Sequence, residues 1–219
     1  MEVLPDPADG PHVWLVTPGA GGSGRDDDAD ARVLDAVESR RAARLRDPVV
    51  RGGYVAAHAA LRRLLGAYLG IPAARVPLVR LPCPRCGLPH GRPAPVGSGP
   101  QFSLSRAGAL SMLAVASAPV GVDLERIAGP RVAEDASGIL HPADRADLAA
   151  LPPARRPAAF TRCWTRLEAV AKAGGEGLSL TEAGAPRLGT TAVPEPVTGW
   201  LVTDVPAPPG YAAACAMRS

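Results

Sequence analysis

Three carboxylates and one ammonium are spaced so that they could hold a metal ion against a phosphate. In Gly121-Val122-Asp123-Leu124-Glu125 two acids stand two apart on a stretch that reads as a strand, so both point to one face. The residues before them, Ala118 to Val122, are apolar or neutral, which predicts a buried strand with its acidic end at a cleft mouth. Two carboxylates on one side repel each other unless a cation or proton intervenes. The pair alone also fits a solvated strand end beside Arg126. Further on, Trp164, Glu168 and Lys172 step by four along a helical pattern. Each step turns about 40° and rises ~6 Å, so the three share a face. A surface Glu–Lys pair at this spacing is worth only about 0.3–0.5 kcal/mol. Trp164 on the same stripe argues that the face is partly covered, and Ala169, Ala171 and Ala173 leave room for something bulky. A hard divalent cation such as Mg²⁺ takes oxygen ligands and completes its shell with water and substrate phosphates. Asp123, Glu125 and Glu168 would form such a site if the helix packs beside the strand, with Lys172 one turn on to meet a phosphate oxygen.

Lys172 stands out because it is the one lysine among 24 basic residues. Ala, Arg and Pro are heavily used, as in a protein from a GC-rich genome, so Arg is the default cation and says little about function. A positional need for an ammonium and chance both account for the lysine. The two cations differ physically: one is a compact point charge, the other a planar fork.

The 219 residues suffice for one large domain or two small lobes. With 47% hydrophobic and 4% aromatic residues, the core must be built from Leu, Val and Ala. A net charge of +3 is too small to predict nucleic-acid binding. No apolar run approaches the ~18 residues of a membrane span, and the acidic start MEVLPDPADG is unlike a signal peptide. Four cysteines at this length do not make a disulfide scaffold, so a reducing, cytoplasmic location is expected.

Strands are predicted at 13–17, 76–80, 101–105, 110–118, 120–125, 199–205 and 211–218, with Pro119 interrupting the run between the fourth and fifth. Helices are predicted from Ala31 to about Leu45, from Asp47-Pro48 to near Gly70, over 141–151 and over 153–174, the last closed by Gly174-Gly175. Residues 19–30 read as a flexible charged loop, 81–100 as irregular and 181–198 as a variable connection. This order gives an α+β fold with two lobes, 1–119 and 120–219, and a seam near Pro119.

GVDLERI followed by FTRCWTRLEAVAKAGGEGLSL resembles the 4′-phosphopantetheinyl transferases of the monomeric, two-lobed type that activates peptide and polyketide synthases. Their pattern is G-[IV]-D-[IVL]-E, then W-[ST]-x-K-E-x-x-x-K, then G-x-G-L. Gly121 to Glu125 match the first motif, Trp164, Thr165, Glu168 and Lys172 the second, and Gly175, Gly177 and Leu178 the third. The resemblance implies two similar lobes forming a pseudo-dimer, each a small antiparallel sheet packed with helices, with the active site at the seam. It implies Mg²⁺, or Mn²⁺ in its place, on Asp123, Glu125 and Glu168, bridging the pyrophosphate of coenzyme A, with Lys172 at the phosphates. Glu168 could also take the proton of the acceptor serine. Gly91-Arg92-Pro93 and Phe102-Ser103-Leu104-Ser105-Arg106-Ala107 stand where the family has G-K-P and F-[NS]-[IL]-S-H-[ST]. Arg92, Pro93, Ser105 and Arg106, aided by Arg40, Arg41, Arg44 and Arg51, would then hold the adenosine 3′-phosphate end. The expected partner is an acidic, helical acyl or peptidyl carrier protein domain, and the expected state is a monomer in secondary-metabolite biosynthesis.

Two positions depart from the family: Leu167 stands for a lysine and Arg106 for a histidine. Arg106 can bind phosphate bidentately but cannot serve as a titrating base. Cys83, Cys86 and His90 have C-x-x-C spacing suited to zinc, although one such pair is a weak signal and a tight turn positioning Arg92 explains it as well. His12, His58 and His141 read as structural. There is no G-x-S-x-G elbow and no P-loop. Two rivals remain: a family member with reduced or lost activity, and a zinc-turn module that binds nucleic acid.

Overall fold

The computed structural model describes residues 4–17, 24–175, 177 and 184–219. Among the described residues, eight strands and six α-helices follow in the order β1 (His12–Val16), α1 (Gly24–Ala31), α2 (Ala36–Arg44), α3 (Pro48–Leu69), β2 (Leu78–Arg80), β3 (Pro93–Pro95), β4 (Gln101–Ala107), β5 (Leu110–Ala116), β6 (Val120–Arg126), α4 (Pro130–Ala136), α5 (Pro142–Ala150), α6 (Arg156–Gly174), β7 (Trp200–Asp204) and β8 (Tyr211–Arg218). Two antiparallel three-stranded sheets, β1-β5-β4 and β6-β8-β7, are accompanied by a separate ribbon, β2-β3. The architecture is mixed α+β. No described helix is long and apolar enough to cross a membrane.

Side-chain alternation stacks these elements. In β5, Leu113 and Val115 pack with Leu61 and Leu65 of α3, while Met112, Ala114 and Ala116 face the second sheet. In β6, Val120, Val122 and Leu124 return that contact. In β8, Ala213 and Cys215 join them, and Ala214 and Ala216 pack on the other side with Phe160, Cys163, Leu167 and Val170 of α6. The layers therefore run α3, sheet, sheet, α6. Period-two alternation leaves Gly121, Asp123 and Glu125 on the α6 face of β6. Met112 and Leu113 are core, both 1% exposed.

The long helices end where local chemistry says they should. The Asp47 carboxylate accepts the N–H groups of Val49 and Val50 at 2.8 and 3.2 Å, and Pro48 takes the first helical position. Gly70 (φ 66°) and Gly175 (φ 82°) close α3 and α6 in the left-handed conformation.

Three expectations change. Residues 24–31 are helix rather than flexible loop, and 19–23 lie outside the described residues. The helix expected from Ala31 starts instead at Ala36, because Asp35 and Glu38 form a reciprocal capping box. The stretch 81–100 is not wholly irregular: Pro93-Ala94-Pro95 pairs antiparallel with Leu78–Arg80. A two-strand ribbon tolerates prolines, since their missing N–H groups can face away from the partner. Helix α4, with Pro130 at its start, was not foreseen.

Candidate active site

The position of the acids is set by one close approach. A Cβ added at Gly121 would lie 2.0 Å from Ala169 O and 2.6 Å from Ala173 N, both backbone atoms of α6. Only glycine permits helix and strand to touch here. Ala169 and Ala173, 0% and 2% exposed, are small for the same reason. They make room for the strand backbone and not for a bulky ligand, which corrects the expectation for these alanines; Ala171 alone of the three borders the cavity described next.

That contact brings Asp123, Glu125, Glu168 and Lys172 to one cavity of about 700 Å³. Asp123 is 2% exposed. Its Oδ1 accepts from Ser105 Oγ at 2.7 Å and from Lys172 Nζ at 2.5 Å. Lys172 Nζ also reaches Ser105 Oγ at 3.0 Å and Val122 O at 3.3 Å. An ammonium has three donors, and here three acceptors converge on it. A planar guanidinium would spread its donors over three nitrogens and miss this focus. The geometry supplies a reason for the lone lysine, and makes Asp123, not a phosphate, its first partner.

Burial, and then Asp123, push the Glu125 carboxyl up to about 7 against the pull of Lys172, with Glu168 adding to the rise. Glu168 is likewise raised by burial and by Asp123, opposed by Lys172. At this end of the cavity three carboxyls stand with a single ammonium, which is already paired with Asp123. Asp123 Oδ2 is moreover buried with no hydrogen-bond partner. An orphaned carboxylate oxygen lining one cavity with two further carboxyls has the oxygen chemistry that a hard divalent cation takes.

The N-terminal half supplies the rest of the lining. Arg41 of α2, Arg80 of β2, Arg92 and Pro93 at the start of β3, and Ser105 and Arg106 of β4 all border the cavity. Arg92 Nη1 is buried and unpartnered, and burial lowers the Arg92 and Arg106 pKa values. Arg106 also lies over the Tyr54 ring, 4.9 Å from its centroid. Among the described residues, Asp123 Oδ2 and Arg92 Nη1 are the two buried side-chain atoms without a partner, one an acceptor and one a donor.

Several expected residues lie elsewhere. Arg40 and Arg44 border a smaller, separate cavity with Arg41. Arg51 borders neither and donates to Leu45 O at 3.4 Å. Trp164 is off the cavity and stacks on Phe160, with centroids 6.2 Å apart. The 40° drift per four residues adds up between 164 and 172, so the stripe turns into the core at its start. Leu167, 1% exposed, faces the core, so its departure from the family pattern takes no side chain from the cavity lining. Gly175 and Gly177 border the cavity, while Leu178 lies outside the described residues.

Sequence reasoning missed Arg80, Tyr54, His58, Asp35 and Glu38 as lining residues. Burial pushes the Glu38 carboxyl up, but bonds with His58, Arg62 and the Asp35 N–H hold it at about 2. The Asp35-x-x-Glu38 capping spacing was a readable signal for this cluster. Arg62, 1% exposed, binds Glu38 and Asp35 at 2.5 Å each. All three histidines read as structural have partners: His58 meets Glu38 at 3.1 Å, His12 meets Asp6 O at 2.8 Å, and His141 Nδ1 accepts from Ala143 N at 3.1 Å, capping α5.

The fold and site define a mixed α+β protein with an acid-and-arginine cavity between a strand end and a helix flank. Residues 119–193, which carry Asp123, Glu125, Glu168 and Lys172, match the family model of the 4′-phosphopantetheinyl transferase superfamily. The match falls on the segment whose motifs carry the resemblance, and it supports a transferase. No curated protein compared with the chain matches it.

Proposed function

We propose that the chain is a holo-[carrier protein] synthase that moves the 4′-phosphopantetheine arm of coenzyme A to a serine of an apo carrier protein, with Mg²⁺ or Mn²⁺. The observation that carries this reading is the pair of unpartnered buried atoms in one cavity: Asp123 Oδ2 calls for a cation and Arg92 Nη1 for an anion. A diphosphate chelating a metal, with a further phosphate some distance away, meets both demands, and coenzyme A is such a molecule. The cavity volume lies in the range of about 300–1,000 Å³ usual for small-ligand sites.

Asp123, Glu125 and Glu168 would hold the ion. When bound, it supplies charge neutralisation at the diphosphate. Arg41, Arg80, Arg92 and Arg106 bind the anionic groups of the adenosine 3′-phosphate end. Lys172 and Ser105 fix Asp123 Oδ1, leaving Oδ2 toward its ligand. Glu168, its pKa raised by burial, accepts the proton of the attacking serine. The serine Oγ forms a bond to the phosphorus on the pantetheine side, the bond from that phosphorus to the bridging oxygen breaks, and adenosine 3′,5′-bisphosphate leaves. The nucleophile belongs to the partner, which is consistent with a chain lacking a nucleophile motif.

In this reading the chain is a monomer of two similar lobes, 1–119 and 120–219, in a reducing cytoplasm. Each lobe would be one three-stranded sheet under one long helix, α3 or α6, with the active site at their seam. The lining residues support it, since they come from both sides of Pro119. The test is incubation with coenzyme A, Mg²⁺ and a panel of apo carrier proteins, followed by intact mass. A carrier gaining the mass of the pantetheine arm is expected; no gain on any carrier would defeat the proposal.

A further inference from the structure

We propose that Cys83, Cys86 and His90 bind a zinc ion, at a site separate from the carboxylates. Two sulfurs and one imidazole nitrogen lie within 4.8 Å of one another. Cys86 Sγ and His90 Nε2 are the close pair, at 3.0 Å. Around a tetrahedral zinc, with Zn–S about 2.3 Å and Zn–N about 2.0 Å, sulfur and nitrogen stand about 3.5 Å apart. The pair needs to open by only about half an ångström to admit the ion.

The backbone is already wound for this. Gly87 N donates to Cys83 O, Cys83 N to Leu88 O and His90 N to Leu88 O, each at 2.8 Å. Directly after the second cysteine, Gly87 takes a φ of 73°, which a residue with a Cβ resists. Gly91 then passes so close that an added Cβ would lie 2.7 Å from Leu81 O. The chain thus doubles back, and the side chains at 83, 86 and 90 converge.

Donor chemistry separates this site from the carboxylates. Thiolate and imidazole suit zinc, whereas an all-oxygen set suits Mg²⁺. Binding sheds the two thiol protons to solvent, and two thiolates with a neutral imidazole cancel the charge of the ion. Three protein ligands leave the fourth position to water. Cys163 is no candidate for it: its thiol is 0% exposed and faces Asp144 Oδ2 at 3.5 Å.

The site has a consequence for the large cavity. His90 borders that cavity and Arg92 follows two residues later. A Cβ at Gly175, the cap of α6, would lie 3.6 Å from Arg92 N and 3.7 Å from Pro84 Cδ. A zinc ion here clamps the turn that holds Arg92 against the end of the catalytic helix.

The experiment measures metal in the full chain, purified without chelator and dialysed against metal-free buffer. One equivalent of zinc is expected. It should be lost in Cys86→Ser and in His90→Ala, both exposed positions, and kept in Glu125→Gln. With Co²⁺ in place of zinc, a sulfur-to-metal charge-transfer band should be present in the parent chain and absent from Cys86→Ser. Amide exchange at Gly87, His90 and Gly91 should speed up in the two metal-free variants while that of α3 stays the same. A parent chain without zinc after growth in zinc-supplemented medium, zinc retained by both variants, or a Cys83–Cys86 disulfide in place of metal would each overturn the proposal. Pantetheine transfer is not read in any arm, so the outcome is independent of the proposed activity.

Discussion

The two ends of the cavity are built differently. Its acid end stands on β6 and α6, two rigid elements locked by backbone contact at Gly121. Its arginine end is gathered from α2, β2, the start of β3 and β4. The acids sit at fixed spacings on one strand and one helix, so their neighbours are dictated by local geometry. Each arginine depends on where a different element comes to rest. A site for a metal needs ligands held to a fraction of an ångström, whereas long cations can reach an anion from several directions.

The comparison breaks first at the acid end. On the proposed function, Glu168→Gln should lower the rate of pantetheine transfer by about 10³-fold, because it would remove a metal ligand and the proton acceptor together. Transfer rates from intact mass against time check this; a loss of under tenfold would move the chemistry elsewhere. Next comes the contact beneath it. Gly121→Ala should destabilise the fold by about 3 kcal/mol, since the added methyl meets helix backbone that has nowhere to go. A urea denaturation midpoint unchanged from the parent would show that α6 can lift off β6 freely.

The arginine end should respond more gently. If coenzyme A is the substrate as proposed, Arg92→Ala should raise its KM by about ten- to a hundredfold, the worth of one charged hydrogen bond, with kcat little altered. Arg51→Ala, outside both cavities, should change neither constant. Equal effects from the two substitutions would mean that general positive charge, not position, binds the ligand. The smallest effect is confined to acid. Glu38 is held at about 2 in the folded chain against an ordinary value of 4.5. A depressed carboxyl contributes stability that is complete above the unfolded value and fades as pH falls toward the folded one. Stability should therefore decline between about pH 4.5 and about pH 2, and Glu38→Gln should flatten that part of the profile in thermal melts.

Much of the acid end was legible beforehand. Two acids on a strand alternate to one side, and Glu168 and Lys172 share a helix flank, whatever else the chain does. The stripe failed at Trp164 because helical drift is cumulative. Among the arginines, residue type carried no signal in a chain that uses Arg as its default cation: Arg40, Arg44 and Arg51 were indistinguishable from Arg41, and Arg80 was overlooked. The Asp35–Glu38 capping box, missed as well, was present in the spacing.

By itself the amino-acid sequence determined the elements and their faces: helix limits through Asp47-Pro48, Gly70 and Gly175, strand alternation through β5 and β6, and the four charged side chains that meet at the cavity. Those properties depend on local dihedral preferences and on periodicity, which act within a few residues. Only the tertiary structure decided which arginines join the acids, that Lys172 is focused on Asp123, and that Cys83, Cys86 and His90 converge. Such outcomes depend on how sheets and helices stack, and that is set by the fit of distant surfaces, as at the opposed backbones of Gly121 and Ala169.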